Sequence, residues 1–223
     1  MARDEQFWLE GQRVVVTAGG TREPIDPVRY IGNRSSGKMG NELAIAAARA
    51  GARVTLITAA QPAPVIEGIE VVGVDTAAEM HAALLEWLPG ARLLIMAAAV
   101  ADYQPARIST TKIKKRDQPW SLELRPTEDI LIALNHSGAR DGVFVVGFAA
   151  ETDDLYENAG EKLRSKRLDL IVVNDVTRTD IAMGSDYNEV TVLDQNGVMD
   201  HISRAPKHEV AAAILRDIRA RLP

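Results

Sequence analysis

Short aliphatic runs recur along this chain at residues 14–17, 53–58, 69–74, 93–99, 143–148 and 168–173, and helix-length segments separate most of them. A run such as Leu93-Leu94-Ile95-Met96-Ala97-Ala98-Ala99 shows no polar alternation, as expected of a strand covered on both faces. Strands alternating with helices predict an α/β protein. The expected form is a mostly parallel sheet with helices on both faces, joined by right-handed crossovers. Helices are expected over residues 41–50, 76–88, 127–136, 153–167 and 207–221. Gly51 closes the first of them. Thr76 and Glu79 form a capping box for the second, and Thr127 is read as the cap of the third.

The alternation breaks twice. Residues 101–126 are polar, carry three prolines, and read as a flap holding a short strand pair. Residues 188–202 read as an antiparallel hairpin around an Asn196-Gly197 turn. No repeat or linker divides the 223 residues, so a single domain over 1–223 is expected.

Apolar residues make up 46% and aromatics only 4%, so the core is mainly aliphatic. A net charge of −5 argues against nucleic acid or an anionic membrane as a partner. With no cysteine there is no thiol nucleophile, disulfide or Cys-based metal site, and a reducing cytoplasm is the expected location. No apolar run approaches the ~20 residues of a membrane span, and the start Met1-Ala2-Arg3-Asp4-Glu5 is not a signal peptide.

Chemistry concentrates after the first strand. Residues 17–40 carry Gly19, Gly20, Arg29, Asn33, Arg34, Gly37 and Lys38, and then lead into a helix. Strand, polar glycine-containing loop and helix start form the layout of a phosphate site, where free N–H groups and the positive helix end face an anion. In open α/β sheets ligands sit beyond the carboxyl ends of the strands. That rule adds residues 97–102, 148–151 and 174–175 to the same region. Neither a G-x-G-x-x-G fingerprint nor a P-loop is present. Lys112-Ile113-Lys114-Lys115-Arg116 is either a solvated charged loop or a run from which one lysine reaches a triphosphate. Lys162 and Lys166, at i and i+4, share one helix face; by spacing alone they read as solvated. His81, His136, His201 and His208 lack metal-ligand spacing and read as surface or capping residues. These features reach an α/β enzyme with an anion-rich site and a basic lid.

The motifs together resemble a known family. Residues 19–31 (Gly-Gly-Thr-Arg-Glu-Pro-Ile-Asp-Pro-Val-Arg-Tyr-Ile) and 33–40 (Asn-Arg-Ser-Ser-Gly-Lys-Met-Gly) are similar to phosphopantothenoylcysteine synthetase, the coenzyme A biosynthesis ligase. So are Ala98-Ala99-Val100-Ala101-Asp102-Tyr103, Lys112-Ile113-Lys114-Lys115, residues 146–152 and residues 169–175. The resemblance implies a Rossmann-like fold and a homodimer that joins 4′-phosphopantothenate to cysteine using CTP and Mg²⁺ through an acyl-cytidylate, with the metal held mainly by the triphosphate. It places nucleotide contacts on Met96, Ala97, Ala98, Asp102, Lys112, Glu128, Asp129, Ile130, Leu131, Phe148, Lys162 and Lys166. Arg29 and Asn33 match positions at the phosphopantothenate and the acyl-cytidylate, and Asn33, Lys112 and Arg29 are the expected catalytic residues. Asn33 can donate to a developing oxyanion without adding charge. Thr127-Glu128-Asp129-Ile130 departs from the family's Asn-Pro-Asp form. In many bacteria this synthetase follows a flavin-dependent decarboxylase domain, which this sequence lacks. The hairpin, too small to stand alone, also points to a dimer. A nicotinamide-dependent reductase and a non-catalytic nucleotide-binding module are the competing readings. The first lacks its fingerprint and a Tyr-x-x-x-Lys pair.

Overall fold

The computed structural model describes residues 7–115, 117–151, 155–175, 181 and 184–223; for 151 and 175 it describes the backbone. Met1 to Glu5, Arg116 of the basic run, Thr152 of the matched motif and Asp153, the expected helix start, lie outside the described residues.

The aliphatic runs form the strands β1 (Arg13–Ala18), β4 (Arg53–Thr58), β5 (Glu70–Gly73), β6 (Leu93–Met96), β9 (Phe144–Glu151) and β10 (Leu170–Asp175). They pair in parallel in the order β5-β4-β1-β6-β9-β10, so the chain starts in the middle and builds outward in both directions. Two antiparallel strands, β11 (Tyr187–Asp194) and β12 (Gly197–Pro206), continue the sheet beyond β10. The hairpin is therefore not free-standing, and its size gives no independent argument for a dimer.

Alternate strand residues point to opposite faces, and each face carries its own core. On one, Val14, Val16, Leu56, Ile95, Val146 and Val172 pack against α1 (Lys38–Arg49) and α5 (Lys207–Arg221). On the other, Val15, Ile57, Leu94, Val145 and Ile171 pack against α2 (Ala77–Trp87), α3 (Ile130–Ser137) and α4 (Leu155–Ser165). The capping box of Thr76 and Glu79 is present.

Several boundaries differ from the sequence reading. The segment after β1 is not one open loop, because β2 (Arg22–Pro24) and β3 (Tyr30–Gly32) pair within it. Helix α1 starts at Lys38, with Gly37 in a left-handed conformation (φ 78°) and no side-chain cap. Thr127 does not cap α3. Its hydroxyl donates to Ala101 O and its N–H to Asp102 O, while Asp129 caps the helix by accepting Ile132 N–H at 3.1 Å. The flap does hold its strand pair, β7 (Tyr103–Pro105) with β8 (Leu124–Pro126). No helix among the described residues is long and apolar enough to cross a membrane.

Candidate active site

A cavity of about 640 Å³ opens along the carboxyl edge of the sheet, where β1, β6, β9 and β10 end. It crosses that edge from one helical layer to the other. Ser35 to Gly40, Asn188 and Lys207 line it on the α1/α5 side, and Glu128 to Leu131, Lys162 and Lys166 on the α3/α4 side. Strand order explains the opening: β1 connects outward to β4 and β6 to β9, so their connections part above the sheet.

Close packing sets the first wall. A Cβ on Gly40 would lie 2.6 Å from Ala18 Cβ and 2.8 Å from Thr17 O, so glycine lets α1 press against the end of β1. The uncapped start of α1 thus faces the cavity with free N–H groups and a positive dipole end. Asn33 bridges to the segment that follows β6: its Nδ2 donates to Ala99 O at 3.2 Å and to Val100 O at 3.1 Å. Both amide hydrogens are engaged, so donating to an oxyanion requires releasing one carbonyl.

Among the residues singled out from sequence, Asn33, Met96, Ala97, Ala98, Asp102, Glu128, Asp129, Ile130, Leu131, Phe148, Lys162 and Lys166 all line this cavity. Lys166 is not a solvated surface charge, since its ammonium lies 2.8 Å from the Asp129 carboxylate. Burial pushes the Asp129 pKa up, but the Lys166 bond and the Ile132 N–H outweigh it and hold the carboxyl below its usual range. On the opposite side Lys38 pairs with Asp186 at 2.6 Å and donates to Gly184 O. The Lys38 bond keeps Asp186 ionised below the usual range. Nearby, burial first and then the charge of Lys38 lower the pKa of Lys207.

Arg29 and Lys112 do not line the cavity. Arg29 lies beneath the flap, with its guanidinium on the buried Asp26 carboxylate and on Ile113 O at 2.6 Å. It also lies 5.5 Å from the Trp120 ring, close enough for a cation–π contact. Asp26 accepts the N–H groups of Val28, Arg29 and Ile113 as well. Burial raises its pKa, and these donors more than reverse the effect, leaving the carboxyl well below the carboxylate range. The flap is thus latched onto the β2–β3 segment, and Lys112 is exposed. His81 departs from its surface reading: it is part-buried, with Nδ1 3.1 Å from Glu128.

The family pattern described as the DNA/pantothenate metabolism flavoprotein C-terminal domain matches residues 9–222. The chain belongs to that family. It is 43% identical over 213 residues to the coenzyme A biosynthesis bifunctional protein CoaBC of Bacillus subtilis strain 168, covering 95% of this chain and 52% of that protein. A protein of an unknown prokaryotic organism, called cysteine/cysteine sulfinic acid decarboxylase, is 44% identical over 211 residues, covering 94% and 58%. The chain spans a little over half the length of these curated relatives. The crystal structure of the C-terminal domain of CoaBC superposes with a TM-score of 0.80 at 35% identity, covering 96% of this chain and 97% of that one.

Within this flavoprotein C-terminal domain fold, the sequence reading missed Asp26, Asn188, Asp186 and Lys207. Asp26 had a local signal, since Asp-Pro-x-Arg is a turn whose carboxylate reaches back to its own backbone. Lys207 and Asn188 had none. Only the docking of the C-terminal hairpin and α5 brings them to a cavity built mostly by the first 170 residues.

Proposed function

We propose that the chain joins 4′-phosphopantothenate to cysteine with CTP, making 4′-phosphopantothenoyl-cysteine, CMP and pyrophosphate for coenzyme A biosynthesis. The observation that carries this is convergence. Positions matched to the synthetase motifs from five separate stretches line one cavity, Arg29 and Lys112 excepted. The membership of the family and the name of the B. subtilis relative point the same way.

A carboxylate does not react with an amine directly, because an oxide-like oxygen leaves poorly. In the proposed route a carboxylate oxygen attacks the α-phosphorus of CTP, and the bond to the β-phosphate breaks with loss of pyrophosphate. The cysteine amine then attacks the acyl carbon, the C–O bond to CMP breaks, and the amine proton passes to water. Lys162 and Lys166 are the cations suited to the nucleotide phosphates, with Lys166 exchanging Asp129 for a phosphate oxygen. Backbone groups of residues 96–98 supply polar edges for the cytosine. Among the described residues no three acidic or histidine side chains gather to hold a metal. Asp129 is already engaged by Lys166, so Mg²⁺ fits best as an ion carried by the triphosphate, where it would offset phosphate charge.

The proposal includes a cytoplasmic homodimer, and a flavin-dependent decarboxylase domain as a partner. Exposed Val28, Tyr30, Tyr103, Ile108, Trp120 and Leu124 all lie on the β2–β3 segment or the flap, an apolar face suited to a second copy. The test is incubation with 4′-phosphopantothenate, cysteine, Mg²⁺ and each nucleoside triphosphate in turn. Stoichiometric pyrophosphate and product with CTP are expected. Consumption of NADPH without pyrophosphate, or nucleotide binding without turnover, would overturn the reading.

A further inference from the structure

The α1/α5 end of the cavity holds a side chain that no described residue fully satisfies. Asn188 is 5% exposed and lines the cavity. Its Nδ2 donates weakly to Met39 Sδ at 3.7 Å, and its Oδ1 is buried with no hydrogen-bond partner among the described residues. A buried amide oxygen left unpaired costs free energy that a ligand donor recovers. Beside it stands Lys207, only 8% exposed, whose ammonium donates to Ser185 O. Lys38 and Asp186 complete the cluster. Lys38 is already paired with Asp186, and Glu42 stands on the adjoining surface beside Lys38 and Lys207.

We propose that this end of the cavity binds the free amino acid that acts as nucleophile, cysteine, through its two charged ends. This rests on the ligase reading above. Lys207 takes the α-carboxylate, Asn188 Oδ1 accepts an N–H of the α-amine, and Met39 Sδ lies beside the space for the thiol. The unpaired acceptor decides between ligands. A phosphate dianion or a triphosphate would bring only oxygen lone pairs to Asn188 Oδ1, whereas an amino acid brings a donor and an anion a few ångströms apart. Accepting an amine hydrogen also turns the nitrogen lone pair away from Asn188. The α1 start and Asn33 stand along the same wall of the cavity. The sheet edge then separates this end from the Lys162–Lys166 end, so the nucleophile and the nucleotide phosphates occupy different helical layers.

The test uses the full chain with Asn188→Ala, Lys207→Met and Lys207→Arg. Three quantities are read: KM for cysteine, KM for cysteamine (the same amine and thiol without the carboxylate), and single-turnover pyrophosphate release without either amine. Lys207→Met should raise KM for cysteine about ten- to a hundredfold, the loss of one charge-assisted bond, with cysteamine changed less than about twofold. Lys207→Arg should restore much of the preference for cysteine. Asn188→Ala should raise KM for both amines by about tenfold. Pyrophosphate release should stay within about twofold in each case. An equal loss with both amines in Lys207→Met overturns the assignment. So does a raised KM for 4′-phosphopantothenate or slowed pyrophosphate release, which would give this end to a phosphate. If Lys207→Met does not fold, Asn188→Ala decides alone, and an unchanged KM for cysteine overturns the proposal. Absence of product from the unmodified chain would instead refute the ligase reading itself.

Discussion

The Asp26 carboxylate accepts the backbone N–H of Ile113 at 3.1 Å, joining two residues 87 positions apart. This bond and the contact of Arg29 with the Ile113 carbonyl hold the flap by its backbone, leaving the lysines on either side exposed. Asp26→Asn removes the charge that Arg29 and three N–H groups share. Trypsin cleavage within residues 112–115 should then accelerate by about an order of magnitude, as local opening becomes easier, while the thermal transition of the core moves little. Unchanged cleavage would show that the flap is held elsewhere.

Asp26 also sets a pH expectation. A carboxyl whose folded pKa is depressed stabilises the folded state above the unfolded value, and that contribution fades only as pH falls through the folded value. Because Asp26 lies well below the carboxylate range, the Ile113 and Val28 amides should stay protected from hydrogen exchange below pH ~4, where ordinary carboxylates are protonated. Loss of protection near pH 4 would contradict the assigned network.

Lys112 lies outside the cavity while the flap is latched, so a role in pyrophosphate release requires the flap to move. Lys112→Gln should lower pyrophosphate release about a hundredfold if its ammonium reaches the triphosphate. Lys115→Gln, in the same charge run, should be mild. Equal losses would make the run a diffuse basic patch.

Gly40→Ala should destabilise the fold by about 1–3 kcal/mol, even though alanine is the better helix former. The added methyl would lie 2.6 Å from Ala18 Cβ and 2.8 Å from Thr17 O, where helix and strand meet. Urea denaturation measures the loss, and nucleotide affinity should fall with it because α1 forms the cavity wall.

Asp217 on α5 behaves in the opposite sense to Asp26. Burial and the charge of Asp200 raise its pKa, and its Oδ2 is buried without a partner among the described residues. The folded state therefore binds its proton more tightly, and stability falls as pH rises through the interval between the unfolded and folded values. Asp217→Asn should be more stable at pH 7 by up to about 1 kcal/mol, a figure limited by partial solvent exposure. The gain should vanish below pH ~4, as thermal melting against pH would show.

Much of this architecture was readable because aliphatic runs and the Thr76–Glu79 capping box are local signals. The boundary errors have local causes as well. Thr127 reads as a cap by residue type, but its hydroxyl is drawn to Ala101 O, and Asp129 two residues later satisfies the helix. Residues 97–102 and Phe148 were found by the rule that ligands sit at strand ends, whereas Glu128 to Leu131, Lys162 and Lys166 were found only by the family resemblance. Asn188 and Lys207 could not be, since their place depends on long-range docking of β11 against β10 and of α5 against α1. Arg29 was singled out by motif, and sequence alone did not show that its guanidinium pairs with Asp26 beneath the flap.

Helix α5 starts in the cavity at Lys207 and runs back to Arg221, whose guanidinium meets Asp194 at 2.9 Å, at the far end of β11. At the same far edge, Leu9 N–H donates to Ala50 O at the close of α1. Both ends of the described chain therefore emerge roughly 20 Å from the cavity mouth, about the length of the six-residue strand β1. A purification tag, a surface anchor or a fluorescent reporter attached after Pro223 should therefore leave the opening clear. Immobilised protein should accordingly bind nucleotide as well as protein free in solution.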